Sequence, residues 1–189
     1  CLRAANPMFE YTAPENLLED KTILITGASD GIGKICACTF ADHGARVILL
    51  GRNQEKLEAV YDQIEALNPG KTVIHPLDFI SAMAADYQTL AQSLNEQFEC
   101  LDGLIHNAAL LGAMNPIEFY PERDWTELMQ VNINAAFLSD QGFTAQSQSL
   151  DRCQTPVYRV QCRSRRPRLL GGLRGLQICC GGADADARG

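Results

Sequence analysis

Residues 21–33, Lys-Thr-Ile-Leu-Ile-Thr-Gly-Ala-Ser-Asp-Gly-Ile-Gly, constrain the fold more than any other stretch of the chain. The β-branched run Thr22 to Thr26 predicts a buried strand. It breaks at Gly27 into a turn that also holds Gly31 and Gly33, and a helical pattern begins there. Strand, glycine turn and helix N-terminus in succession make an anion site. The glycines let the backbone approach a bound group closely, and the first helical turn offers N–H groups and the positive end of its dipole. The alternative is a junction that turns the chain and binds nothing, so the surrounding residues decide.

Those residues repeat one alternation. A helix is predicted over Ile32 to His43, with Ile35, Phe40, Ala37 and Ala41 available to pack on a sheet, and Gly44 to stop it. Arg46 to Leu50 reads as a second buried strand. Gln54 to Leu67 reads as a helix with Leu57, Val60, Ile64 and Leu67 at helical spacing, ended by Asn68-Pro-Gly70. Thr72 to Leu77 is a third strand, followed by Asp78. A helix over Ala82 to Phe98 carries Leu90, Leu94 and Phe98 on one stripe, and Leu101 to His106 is a fourth strand. Glu122 to Leu138 is a further helix, with Trp125, Leu128, Met129 and Ile133 on its apolar face. Strands alternating with helices predict an α/β fold, a Rossmann-type doubly wound parallel sheet covered on both faces. In such a fold the glycine turn is where a dinucleotide's pyrophosphate sits.

After Leu138 the pattern stops. Residues 1–138 carry 8 Lys and Arg against 19 Asp and Glu, a net of −11, whereas residues 139–189 carry 8 Arg, no Lys and 4 Asp, a net of +4. Ser139 to Leu150 is polar and rich in Gln and Ser. Arg163-Ser-Arg-Arg-Pro-Arg168 is a basic cluster, and six glycines fall in Gly171 to Gly189. Val157 to Val160 alone resembles a strand. The composition predicts a disordered tail from Ser139 onward, so the expected division is an approach segment 1–20, an incomplete nucleotide-binding domain 21–138 and the tail 139–189. Cys36, Cys38 and Cys100 fit reduced core or helix positions. Cys153, Cys162, Cys179 and Cys180 crowd the tail without paired His or C-x-x-C partners, so no metal site is predicted. No apolar run approaches a membrane span and no apolar leader precedes Tyr11, which predicts a cytoplasmic protein. Met8 is a candidate start.

Taken together, Thr26-Gly27-Ala-Ser-Asp-Gly31-Ile-Gly33, His106-Asn107-Ala108-Ala109 and Val131-Asn132 resemble the short-chain dehydrogenase/reductase family over residues 21–138. Asn16 to Gly27, with Trp125 and Met129-Gln-Val-Asn132, narrows the likeness to one bacterial branch. Ala109 replaces the family's usual glycine. The resemblance implies a nicotinamide cofactor held by Gly27, Ser29, Asp30, Gly31, Ile32, Gly33, Arg52, Asp78 and Asn107. Asp78 would lie at the adenine ring, and Asn132 would belong to a catalytic relay. The substrate class implied is a small carbonyl or alcohol compound, with no nucleic acid or membrane partner. The second strand ends Leu50-Gly51-Arg52-Asn53, with no acid before Glu55. A carboxylate there favours NAD and an arginine the 2′-phosphate of NADP, so NADP is expected. A solvated surface Arg52 is the alternative.

The family's catalytic group beyond Asn132 is missing. It comprises a Ser, a Tyr and a Lys four residues after the Tyr. Here no Lys follows Lys71, and the one Tyr beyond Asn132 is Tyr158, with Cys162 four residues on. With codons chosen to suit and read from the second base, Leu169 to Arg188 can spell Y-W-G-A-Y-G-A-S-K-F and continue in the family's manner, and Gln161–Cys162 can encode a serine. A reading frame lost near Leu138–Ser139 therefore accounts for the arginines, glycines and cysteines together. Three functions follow as candidates: an oxidoreductase by ancestry that is inactive in this form, a non-catalytic dinucleotide-binding module, and a nucleic-acid binder using Arg163 to Arg168. The last lacks interleaved aromatics on an otherwise acidic chain. Members of the family are usually homo-oligomeric. Loss of the later strands argues against that state here, and exposes a sheet edge and the Trp125–Met129 face, so poor solubility is expected.

Overall fold

A computed structural model describes residues 13–147 and 157–159. Its elements are β1 (Thr22–Thr26), α1 (Gly31–Asp42), β2 (Arg46–Gly51), α2 (Gln54–Glu65), β3 (Thr72–Pro76), α3 (Ala84–Gln97), β4 (Gly103–His106), α4 (Glu122–Met129), α5 (Ala135–Ser147) and β5 (Val157–Arg159). All pairings in the sheet are parallel, in the order β3-β2-β1-β4-β5. The chain steps outward from β1 through β2 to β3, then returns to place β4 on the other side of β1. The crevice at the carboxyl ends of β1 and β4 is thus the switch point of the sheet.

Alternation along each strand supplies both faces. Ile23 and Ile25 of β1, with Val47 and Leu49 of β2, pack beneath Ala37 and Ala41 of α1 and Leu57, Val60 and Ile64 of α2. Leu24, Ile48, Leu50 and Leu104 face the opposite way, against Tyr87, Leu90, Ala91 and Leu94 of α3 and Phe143 of α5. Every residue of β1 is buried, as a strand covered on both faces requires. Asp102 pins the amino end of the β1–β4 pair, accepting from Thr22 N at 2.9 Å and from Lys21 Nζ at 2.9 Å.

Three expectations are corrected. Gly33, Ala37 and Ala41 form the buried stripe of α1, spaced by four. Ile35 lies about 200° around the helix from Gly33 and is 66% exposed. Small residues on the stripe bring α1 close to the sheet, whereas Phe40 packs only at the margin of that core. Leu67 is exposed because α2 ends at Glu65, which leaves Leu67 in the following turn. Cys36 and Cys38 are free thiols on α1, as expected, but Cys100, in the loop between α3 and β4, is disulfide-bonded.

The last helical region departs further from expectation. The sequence pattern predicts one helix over Glu122 to Leu138 with an apolar face at Trp125. Instead α4 buries no residue, and Trp125 meets the edge of Tyr120, ring centres 6.1 Å apart. A π-helical turn, Gln130–Asn134, follows, and α5 then runs on to Ser147. Val131 of the turn and Ala135, Ser139 and Phe143 of α5, again spaced by four, form one buried line. Ser139 fits there because its hydroxyl donates to Ala135 O at 2.7 Å, a back-bond that satisfies a buried polar group. Helix therefore continues eight residues past the boundary at Ser139 where the tail was expected to begin. The one strand-like stretch of that tail contains β5, with Leu104 opposite Val157 and Ile105 opposite Tyr158. The basic cluster Arg163 to Arg168 and the cysteines Cys153, Cys162, Cys179 and Cys180 lie outside the described residues. No helix among the described residues is long and apolar enough to cross a membrane.

The burial pattern sets a direct contrast. Ile64→Ala, at a fully buried site, is expected to cost about 2–5 kcal/mol of stability. Ile35→Ala is expected to stay within about 0.5 kcal/mol. Chemical denaturation of both variants checks this, and equal losses would contradict the orientation of α1.

Candidate functional site

A cleft of about 390 Å³ opens above the carboxyl ends of β1 to β4. The loop after β1 forms its floor, and its three glycines are there for three reasons. Gly27 has φ +66°, and a Cβ on it would stand 2.9 Å from Ala108 Cα. Gly31, the first residue of α1, has φ +53° with open space around it, so its backbone conformation alone calls for glycine. Gly33 has no unusual φ, but a Cβ there would strike Gly27 O and the amide of Asn107. Close contact between helix and loop depends on that missing side chain.

Asp30 caps α1, its Oδ1 accepting from Gly31 N at 2.8 Å while its Oδ2 accepts from Lys56 Nζ at 2.7 Å. The hydrogen bond from Lys56, then that from Gly31 N–H, holds the Asp30 carboxyl below the usual carboxylate range. Arg52 is exposed and lines the cleft directly after β2. Asn53 then caps α2 by accepting from Lys56 N at 2.9 Å. Asp78 lines the cleft beyond β3, and its Oδ1 accepts from Ile80 N at 3.1 Å.

Asn107 and Thr26 close the cleft floor. The Asn107 amide nitrogen donates to Thr26 O and Gly27 O, each at 3.1 Å. The backbone N–H groups of Asn107 and Ala108 both donate to Thr26 Oγ1 at 3.0 Å, and that hydroxyl donates to Ile105 O at 3.3 Å. One hydroxyl thus uses its donor and both acceptor positions to join the ends of β1 and β4. Asn132 sits in the π-helical turn and pins the next segment, its Oδ1 accepting from Leu110 N at 2.7 Å and its Nδ2 donating to Leu110 O at 2.9 Å.

Of the residues expected at the cofactor, Gly27, Ser29, Asp30, Gly31, Arg52, Asp78 and Asn107 line the cleft together. Ile32, Gly33 and Asn132 stand outside the lining. Ile32 is exposed on α1, Gly33 is packed beneath the loop, and Asn132 holds the backbone of Leu110. Sequence reasoning missed Thr26 as a polar hub, although a threonine closing a buried strand was visible. It also missed Asp140, whose Oδ1 lies 2.8 Å from His106 Nε2 at the buried end of β4. No cluster of three or more metal-ligating side chains occurs among the described residues.

A parallel sheet in this strand order, with a glycine turn and helix N-terminus at its switch point, defines a Rossmann-type α/β fold. The model of the short chain dehydrogenase family matches residues 21–149, and the chain belongs to that family of oxidoreductases. The oxidoreductase YciK of Escherichia coli is 43% identical over 131 residues, covering 69% of this chain and 52% of that protein. The solved structure of YciK superposes with a TM-score of 0.72 at 39% identity, over 78% of this chain and 60% of that one. A short chain dehydrogenase of Escherichia coli complexed with NADPH gives a TM-score of 0.71 at 39% identity, over 77% of this chain and 60% of that one. One from Shigella flexneri complexed with NADP gives 0.71 at 38% identity, over 76% and 60%. The bacterial branch anticipated from Asn16 to Gly27 is that of YciK. The chain spans about half the length of the curated relatives it matches.

The clasp at the cleft floor is open to a test. Thr26→Val keeps the shape but leaves the N–H groups of Asn107 and Ala108 without their acceptor. Burying unpaired donors costs about 1–3 kcal/mol, and a loss of that size in the unfolding free energy is expected. An unchanged value would show that the clasp does not stabilise the fold.

Proposed function

We propose that residues 21–138 form an NADP-binding half of a short-chain oxidoreductase of the cytoplasm, and that the chain as it stands binds cofactor without turning over substrate. The observation that carries the first part is Arg52, which lines the cleft where β2 ends with no carboxylate. A guanidinium there makes charge-assisted, bidentate contact with a phosphate monoester. The NADPH and NADP complexes of the structural neighbours support the same choice. The residues fit such a group: Gly27, Ser29, Asp30 and Gly31 line the cleft, and Gly31 opens a helix whose dipole favours an anion. Backbone from Gly27, Ser29, Asp30 and Gly31 would hold the pyrophosphate. Asp78 would face the adenine, and Asn107 would floor the nicotinamide side. Ile32 and Gly33 would contribute through the first turn of α1 and not by direct contact. Asn132 acts as a positioning residue, because its side chain fixes Leu110 in the loop bordering the cleft.

When bound, the cofactor supplies or accepts a hydride, and the natural substrate class is a small carbonyl or alcohol compound. Reduction of a carbonyl also needs a proton at the developing alkoxide, and a positioned acid is typically worth about 10²–10⁴-fold in rate. The chain carries no Tyr-x-x-x-Lys to provide it. Tyr158 lies in β5 opposite Ile105, and the residue four positions later is Cys162. A frame shifted near Leu138–Ser139 accounts for that loss, and it makes the non-catalytic dinucleotide-binding module the better description of this particular chain.

NADPH is expected to bind more tightly than NADH by fluorescence titration, with Arg52→Ala abolishing the preference. Equal affinities in the parent would overturn the assignment of Arg52. No turnover of a carbonyl and alcohol panel is expected from the 189-residue chain. A version with the frame corrected at Ser139 is expected to gain Tyr, Lys and activity together. Turnover by the uncorrected chain would show that another group supplies the proton.

A further inference from the structure

The cleft is bordered by a charged pair that the assignment of Arg52 leaves unused. Asp30, on the cleft lining, accepts from Lys56 Nζ at 2.7 Å. The partners come from different units, since Asp30 closes the loop after β1 and Lys56 lies in the first turn of α2. The Asn53 cap fixes the backbone of Lys56 by accepting its N–H, so Lys56 and Arg52 flank one capped helix start. Both side chains of the pair are open to water, 56% exposed for Lys56 and 74% for Asp30. An ion pair so exposed adds little to folding.

Its position has a sharper consequence for ligands. A carboxylate on the rim of a phosphate site repels the ligand unless a cation neutralises it, and Lys56 is the cation in contact with Asp30. A phosphate monoester carries about −1.5 to −2 charges at neutral pH, more than one guanidinium offsets. An ammonium has three donors, so Lys56 has capacity for a phosphate while one donor stays on Asp30. Its flexible stem lets it follow the ligand, unlike the rigid fork of Arg52.

Resting on the reading of this cleft as an NADP site, we infer that Lys56 is a second specificity residue for the 2′-phosphate, tethered by Asp30 beside the site and acting together with Arg52. Lys56 then matters for NADPH, and hardly at all for NADH, which lacks that phosphate.

The test is calorimetric titration of the full chain, Lys56→Met and Lys56→Arg with NADPH, NADH, 2′,5′-ADP and 5′-AMP. Lys56→Met is expected to weaken NADPH and 2′,5′-ADP about tenfold, the scale of one charge-assisted hydrogen bond. NADH and 5′-AMP are expected to bind as to the parent. Lys56→Arg, which keeps the charge, is expected to retain the preference for the 2′-phosphate, and so reports on the inference even if Lys56→Met loses stability. An undiminished preference in Lys56→Met overturns the inference while Arg52→Ala still tests the NADP reading. Equal weakening of all four ligands also overturns it, because the role would then be general charge and not 2′-phosphate recognition. A parent that binds neither NADPH nor 2′,5′-ADP overturns both readings.

Discussion

Thr26 stands at the carboxyl end of β1, where its hydroxyl accepts from two backbone N–H groups and donates to Ile105 O. The amide of Asn107 returns across the same gap to Thr26 O and Gly27 O. These bonds hold the glycine loop and the segment after β4 at a fixed spacing, in the place where the strand order reverses. The floor of the cleft is set by that spacing. A Cβ at Gly27 would meet Ala108 Cα, and one at Gly33 would meet Gly27 O and Asn107, so the closed clasp leaves room only for glycine at both positions. Asn132 extends the arrangement by one further segment, fixing Leu110 from the π-helical turn.

Among the described residues, the lining of the cleft runs from Gly27 to Val131. The groups that the family uses for proton transfer come later. On the proposed reading, a change of frame near Leu138 separates cofactor binding from proton transfer, while α5 runs across that point from Ala135 to Ser147. The first residues after that point still complete α5, since Ser139 satisfies its hydroxyl within the helix and Phe143 reaches the core beside Tyr87 and Leu90.

The first four strands and three helices were legible because each declares itself locally. A strand such as Ile23-Leu24-Ile25 has no solvated face to offer, and Leu57, Val60 and Ile64 recur at helical spacing. The glycines marked the loop, and Arg52 stood out by the absence of an acid. What stayed hidden depends on contacts distant in sequence. The hydroxyl of Thr26 is a hub only once β4 lies beside β1, because its partner Asn107 is 81 residues away along the chain. The continuation of α5 was masked by Ser139 and Gly142, polar or small residues in a helix that packs closely on Tyr87. The π-helical turn has no composition signal of its own. Ile35 misled because hydrophobicity alone does not say which side of α1 meets the sheet.

If the cofactor cradle is complete in this chain and stands apart from the missing chemistry, NADPH must protect it without help from the tail. Hydrogen–deuterium exchange with and without NADPH tests this most directly. Slowed exchange is expected at the amides of residues 27–33, 51–56 and 107–110 when NADPH is present. Unchanged exchange at all three segments under saturating NADPH would contradict a complete cradle.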